Sequence, residues 1–377
     1  MMSGDRREPA HGELMSEFHD EPPRVDLDVP MARRAPREPP QPGFWLATIL
    51  TFAYWIVLIG FMVGFIVVAA FLIGFFGPKG ALETKPGADA GKIGSLSPAL
   101  RDAVAWSFPA GYFGGLLFSV VILRALVGRS WFRDIGLARL PLFHLLLAVL
   151  AMPGFVIVSS ALAQLLQPID PAIFGLLGFG EVGDQGEMLR LLFQDFHWSF
   201  AVFAIGVGPG VVEELWCRGF LGRGLVGRNG WFVGIALSSL FFGALHVWPP
   251  SYVLVTAAMG AGLHFAYVAS RSLWVPIAIH LANNSFAALG SVQAISTEGM
   301  EAAAQANPVP IVALASCLLI CCGLAMWQAR WTWPGEQPGL LIPPARSGLK
   351  LTRSRPSLLL TLAAFGFCAA LIGLLLA

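Results

Sequence analysis

The chain has 377 residues, of which 56% are hydrophobic and 12% charged, with a mean hydropathy of +0.69. Soluble domains carry about a quarter charged residues, so this composition excludes an ordinary soluble globular protein. A formal net charge of +1 offers no global field for nucleic acid or an acidic partner.

Residues 1–43 mix Asp, Glu and Arg with prolines, as in "REPPQPG", and contain no apolar run. That composition cannot bury a core and predicts a disordered cytoplasmic tail, not a cleavable signal peptide. Apolar stretches follow at about 46–76, 107–127, 141–166, 196–222, 231–248, 251–270, 273–291, 309–329 and 357–377. Each approaches or exceeds the roughly 20 residues that carry a helix across a bilayer. The expected fold is therefore all-α, a polytopic transmembrane helical bundle of about eight or nine spans. We divide it into N-terminal transmembrane helices (44–194), a core (195–291) and C-terminal transmembrane helices (292–377). The five cysteines fall in or near apolar spans without zinc-ribbon or disulfide spacing, and read as small packing residues.

Arginines alternate from link to link. Arg124, Arg129, Arg133 and Arg139 surround the link between spans 2 and 3, Arg223 and Arg228 follow span 4, and Arg271 follows span 6. The intervening links carry Asp170, Glu181, Asp184, Glu187, Glu298 and Glu301. The positive-inside rule then predicts a cytoplasmic N-terminus. Ala-, Gly-, Arg- and Pro-rich usage fits a bacterial inner membrane.

Ionisable side chains inside a membrane are costly and mark function by default. Spans 4 to 7 hold Glu213, Glu214, Arg218, His246, His264, His280, Asn283 and Asn284. Glu214 and Arg218 are four apart and share a helix face, as do Phe242 and His246, and His280 and Asn284. Glu213 stands about 100° round the helix from Glu214, without a partner at helical spacing. Each has a bland alternative: a structural ion pair for Glu214–Arg218, hydrogen-bonded core histidines for His246 and His280. His264 reads as a core residue. Taken together the set suits hydrolysis of an amide. A carboxylate and an imidazole can hold and deprotonate a water, and a His with an Asn can donate to an oxyanion. The same residue types ligate zinc, and both schemes remain open on the sequence.

The strings "EELWCR", "FGALH" and "HLANN" resemble the EExxxR, FxxxH and HxxxN/D motifs of the CAAX prenyl protease type II and bacteriocin-processing (CPBP, or Abi) family of intramembrane proteases. "SRSLWVPIAIH" resembles the family's lead-in to the last motif. The resemblance covers residues 195–290 and implies an active site in a membrane-embedded cavity. It implies Glu213 as general base with His246 beside it, Glu214 and Arg218 ordering the site, and His280 and Asn284 stabilising the oxyanion. The cofactor is none or zinc; if zinc, Glu214, His246 and His280 would hold it. The implied partners are a peptide or protein substrate at the membrane and the lipid bilayer, with no nucleic acid. The alternative function on the same scaffold is a non-catalytic self-protection or assembly factor, or a small-molecule transporter.

Depth gives a separate expectation. At ~1.5 Å per residue, Glu213 and His246 lie at similar depths below the link near 227–230, whereas His280 lies only about 12 Å from Ser272. Gly208, Pro209 and Gly210 could break span 4 just before the carboxylates.

Overall fold

The computed structural model of the protein describes residues 42–83, 95–177, 185–246, 249–293, 309–332, 352–353 and 366. The expected tail and the stretch at 357–377, apart from Gly366, lie outside them. The helices are α1 (Phe44–Phe76), α2 (Pro98–Val127), α3 (Trp131–Asp134), α4 (Leu142–Leu166), α5 (Ile169–Leu177) and α6 (Gln185–Phe193). They continue with α7 (198–229), α8 (231–244), α9 (Ser251–Ser270), α10 (Trp274–Gln293) and α11 (Val309–Gln328). Among the described residues, six helices are long and apolar enough to cross a membrane, counting Trp198–Ala244 as one run of 47 residues. The fold is an all-α polytopic helical bundle.

That long run is two helices. Gly230 has φ 78° and ψ 169°, outside the helical region and open to glycine without the steric cost a Cβ would bring. The chain reverses there, and Gly234 returns against the backbone of Val226.

Two chemical patterns sort the helices. α1 is apolar on every side and buries only Ala47, Thr51 and Tyr54, as expected of a helix facing lipid over most of its surface. In α7, by contrast, every residue from Val212 to Gly222 is buried. Trp216 stacks on Tyr54 at 4.9 Å, and Phe220, Leu221, Leu225, Phe242 and Tyr267 complete the same core cluster. The helix that carries the two carboxylates is thus the hub of the fold.

Close helix approach sets the site. Gly206 and Gly210 lie four apart on α7 and face Ser285 and Leu281 of α10, also four apart. A Cβ on Gly210 would stand 2.9 Å from Leu281 Cα, and one on Gly206 would collide with Ser285 Oγ. Small residues at this spacing let transmembrane backbones approach, which stands α10 directly beside Glu213 and Glu214.

The expected break at 208–210 does not occur. Gly208–Glu214 is helical, with Pro209 in its first turn after a wider π-type turn at Val202–Val207. The wider turn absorbs the bond that proline cannot make. A second π-type segment, Leu215–Gly222, follows the carboxylates.

Candidate active site

Glu213 and Glu214 leave the same turn of α7 and meet different environments. Glu214 is fully buried, and its Oε1 lies 2.6 Å from Arg218 Nη1. Arg218 also donates from Nη2 to the Gly260 carbonyl of α9 at 2.9 Å, and its Cζ stands 4.5 Å above the Phe242 ring of α8. One guanidinium therefore ties α8 and α9 to Glu214 on α7.

The same Oε1 also lies 2.8 Å from His280 Nδ1 on α10. A carboxylate oxygen engaged by Arg218 acts as acceptor, so His280 Nδ1 carries the proton and donates. In the neutral ring Nε2 is then an acceptor. His246 follows the same logic. Its Nδ1 lies 2.9 Å from the Phe242 carbonyl, which can only accept, so His246 Nδ1 is also the protonated nitrogen. Both free Nε2 atoms point to one place: they stand 3.7 Å (His246) and 3.9 Å (His280) from Glu213 Oε2.

Among the described residues Glu213 Oε2 is buried without a hydrogen-bond partner, while its Oε1 accepts from the Tyr112 hydroxyl at 3.3 Å. Tyr112 comes from α2, 101 residues upstream, and the sequence reading did not find it. Its signal was slight: one of four tyrosines in the chain, set in the small-residue string "PAGYFGG".

The structure thus brings Glu213, Glu214, Arg218, His246 and His280 together. Asn284 lies one turn beyond His280, and among the described residues its hydrogen-bond partner is Asn283, whose Nδ2 donates to Asn284 Oδ1 at 3.2 Å. His264 stands apart, buried with its Nδ1 3.1 Å from Ser238 Oγ. The described cysteines Cys217, Cys317, Cys321 and Cys322 are buried.

The shallow depth expected for His280 has a physical correction. The turn between α9 and α10 is not at the surface: Ser270, Arg271 and Ser272 are buried beneath the segment around α3. Tyr267 donates to the Ile135 carbonyl at 3.2 Å, Ser272 Oγ to Arg139 O at 2.7 Å, and Trp274 Nε1 to Leu137 O at 2.8 Å. Counting from Ser272 as though from the membrane surface underestimates how deep His280 sits.

Of the implied zinc set Glu214, His246 and His280, Glu214 Oε1 and His280 Nδ1 are engaged with each other, and Oε1 also with Arg218, while Glu214 Oε2 has no hydrogen-bond partner among the described residues. Among the described residues no three His, Cys, Asp or Glu side chains are grouped as metal ligands.

Part of the chain is similar to known proteins. Residues 195–286 match the family model of the Type II CAAX prenyl endopeptidase Rce1-like proteins. That segment is similar to the Rce1-like family. It contains every member of the cluster except Tyr112, which reaches Glu213 from α2, outside the matched residues. The chain is also 30% identical over 120 residues to a Bacillus subtilis (strain 168) protein named "Putative membrane peptidase YdiL". That alignment covers 32% of this chain and 48% of the relative, so the chain spans about half the length of the curated relative it matches. No solved structure matches it.

Proposed function

We propose that the protein is an intramembrane endopeptidase that hydrolyses a peptide bond of a membrane-associated protein or peptide with a glutamate-activated water. One observation carries this reading: Glu213 Oε2 is faced by the Nε2 atoms of both His246 and His280, at 3.7 and 3.9 Å. A gap of that size between three acceptors suits a water that donates to two of them and turns a lone pair outward. Attack by that water on a peptide carbonyl passes one proton to Glu213 and builds charge on the carbonyl oxygen. The Asn284 amide, four residues from His280 and on the same helix face, is the neutral donor for that oxygen. Glu213 then returns its proton to the leaving amine, which closes the cycle without net charge. Glu214 and Arg218 position His280 and take no proton.

The expected setting is a bacterial inner membrane, with the N-terminus cytoplasmic, from the arginine alternation. The test of the reaction class is isotopic. Purified full-length protein in detergent, given a peptide library in H2-18O, should release internal fragments carrying 18O in the new carboxylate. Fragments absent from that digest, or formed without label, would rule out hydrolysis by an activated water.

A further inference from the structure

We infer that the protein holds an internal water between α1, α2 and α7, bound by Thr51, Tyr54, Ser119 and Trp216. The site stands whether or not the protein cuts peptides. It joins α1, which lies outside the matched residues 195–286, to the helix that carries Glu213.

Four polar atoms in this region are buried without a hydrogen-bond partner among the described residues: Thr51 Oγ1, Tyr54 Oη, Ser119 Oγ and Trp216 Nε1. Their residues are 6%, 1%, 0% and 0% exposed. Hydroxyls inside helices can donate to the carbonyl three or four residues back. Thr48, Ser107, Ser238, Thr256 and Ser316 do so in this protein. Thr51 and Ser119 make no such bond. A buried polar group without a partner is costly, and the surrounding hydrocarbon offers it none.

Two helix registers bring the four residues to one level. α1 and α2 run antiparallel, with Gly111 against Leu58 and Gly115 against Tyr54. One turn further, Ser119 comes level with Leu50 and Thr51. α2 and α7 run parallel, with Tyr112 against Gly208 and Gly115 against Val212. One turn further, Ser119 comes level with Trp216, whose ring stacks on that of Tyr54 at 4.9 Å. Trp216 is the third residue after Glu213, so this level adjoins the turn of α7 that carries the carboxylates.

The chemistry of the set selects the ligand. The indole N–H can only donate, whereas the three hydroxyls can donate or accept. Water does both, and a buried water takes about three such partners. The four side chains carry no charge, which favours water over an ion.

The experiment is radiolytic hydroxyl labelling of the full-length protein in detergent, read residue by residue by mass spectrometry. Radiolysis of a bound water makes the radical in place, so a buried side chain is modified only where water sits beside it. Tyr267 is the control: it is 3% exposed, and its hydroxyl is already bonded to the Ile135 carbonyl. Tyr54 should be modified at least tenfold faster than Tyr267. In a Thr51→Val/Ser119→Ala protein the rate at Tyr54 should fall to that of Tyr267, which itself should not change. Thr51→Val and Ser119→Ala should each lower the unfolding temperature, because each removes a hydroxyl that the water satisfies. Removing an unsatisfied hydroxyl would instead raise it, and a rise in both variants would overturn the inference. Tyr54 no more reactive than Tyr267 in the wild-type protein would overturn it too, whatever the substitutions do to folding; that result with lowered unfolding temperatures would mean that the hydroxyls pair directly.

Discussion

His280 and Arg218 share one oxygen. Glu214 Oε1 lies 2.8 Å from His280 Nδ1 and 2.6 Å from Arg218 Nη1, so the carboxylate that fixes the histidine tautomer is itself fixed by a buried cation. Removing one partner of such a pair costs about 3–5 kcal/mol, because the other charge stays buried. Glu214→Gln and Arg218→Ala should therefore each lose activity and lower the unfolding temperature in detergent. The double change Glu214→Gln/Arg218→Met should regain part of the stability and none of the activity. Thermal unfolding followed by tryptophan fluorescence checks both halves; a Glu214→Gln protein as stable as wild type contradicts the pairing.

Tyr112 donates to Glu213 Oε1 and leaves Oε2 facing the histidines. Hydrogen bonds to charged groups contribute about 1.5–3 kcal/mol, and this one is long at 3.3 Å, so the effect should sit at the low end. Tyr112→Phe should lower kcat about tenfold with KM within about twofold and the unfolding temperature unchanged. A change confined to KM, or to stability, would mean that the hydroxyl does not position the base.

Gly210 tests the helix contact that assembles the cluster. A side chain there meets Leu281 Cα at 2.9 Å, backbone that cannot rotate away. Gly210→Val should push α7 from α10, separate Glu214 from His280 and abolish turnover with a drop in stability of about 1–3 kcal/mol, the range for overpacking. Gly64→Ala on α1, where no atom lies within 4 Å of the new Cβ, should be neutral in both assays. Equal effects of the two substitutions would refute the close approach.

Chelation separates the two hydrolytic schemes. If Glu213 activates the water without a metal, as proposed, activity should survive prolonged treatment with a strong chelator. Loss of activity that returns with added zinc, alongside near-stoichiometric metal by elemental analysis, would reverse that reading.

Much of the core could be read from the chain itself. The spacing of four between Glu214 and Arg218, and between Phe242 and His246, follows from helical periodicity, and the bundle preserves both contacts. What periodicity cannot carry is depth and distant partners. The buried turn at Ser270–Ser272 is covered by residues 135–139, and no local pattern announces that cover. Tyr112 reaches the site from 101 residues away because Gly208 on α7 leaves room against its ring. The tautomers of His246 and His280 likewise depend on partners that only packing supplies, one of them a backbone carbonyl.

The central claim is that Glu213 is the base, and it is tested most directly by the turnover of Glu213→Gln. Among the described residues Glu213 forms no close ion pair with a lysine or arginine, so the amide should fold as well as the acid does. Initial rates on one cleavable peptide, with the unfolding temperature measured on the same samples, should show turnover lowered by about 10²–10⁴-fold, the usual contribution of a general base, at unchanged stability. A Glu213→Gln protein that cleaves within a few-fold of wild type would contradict the account.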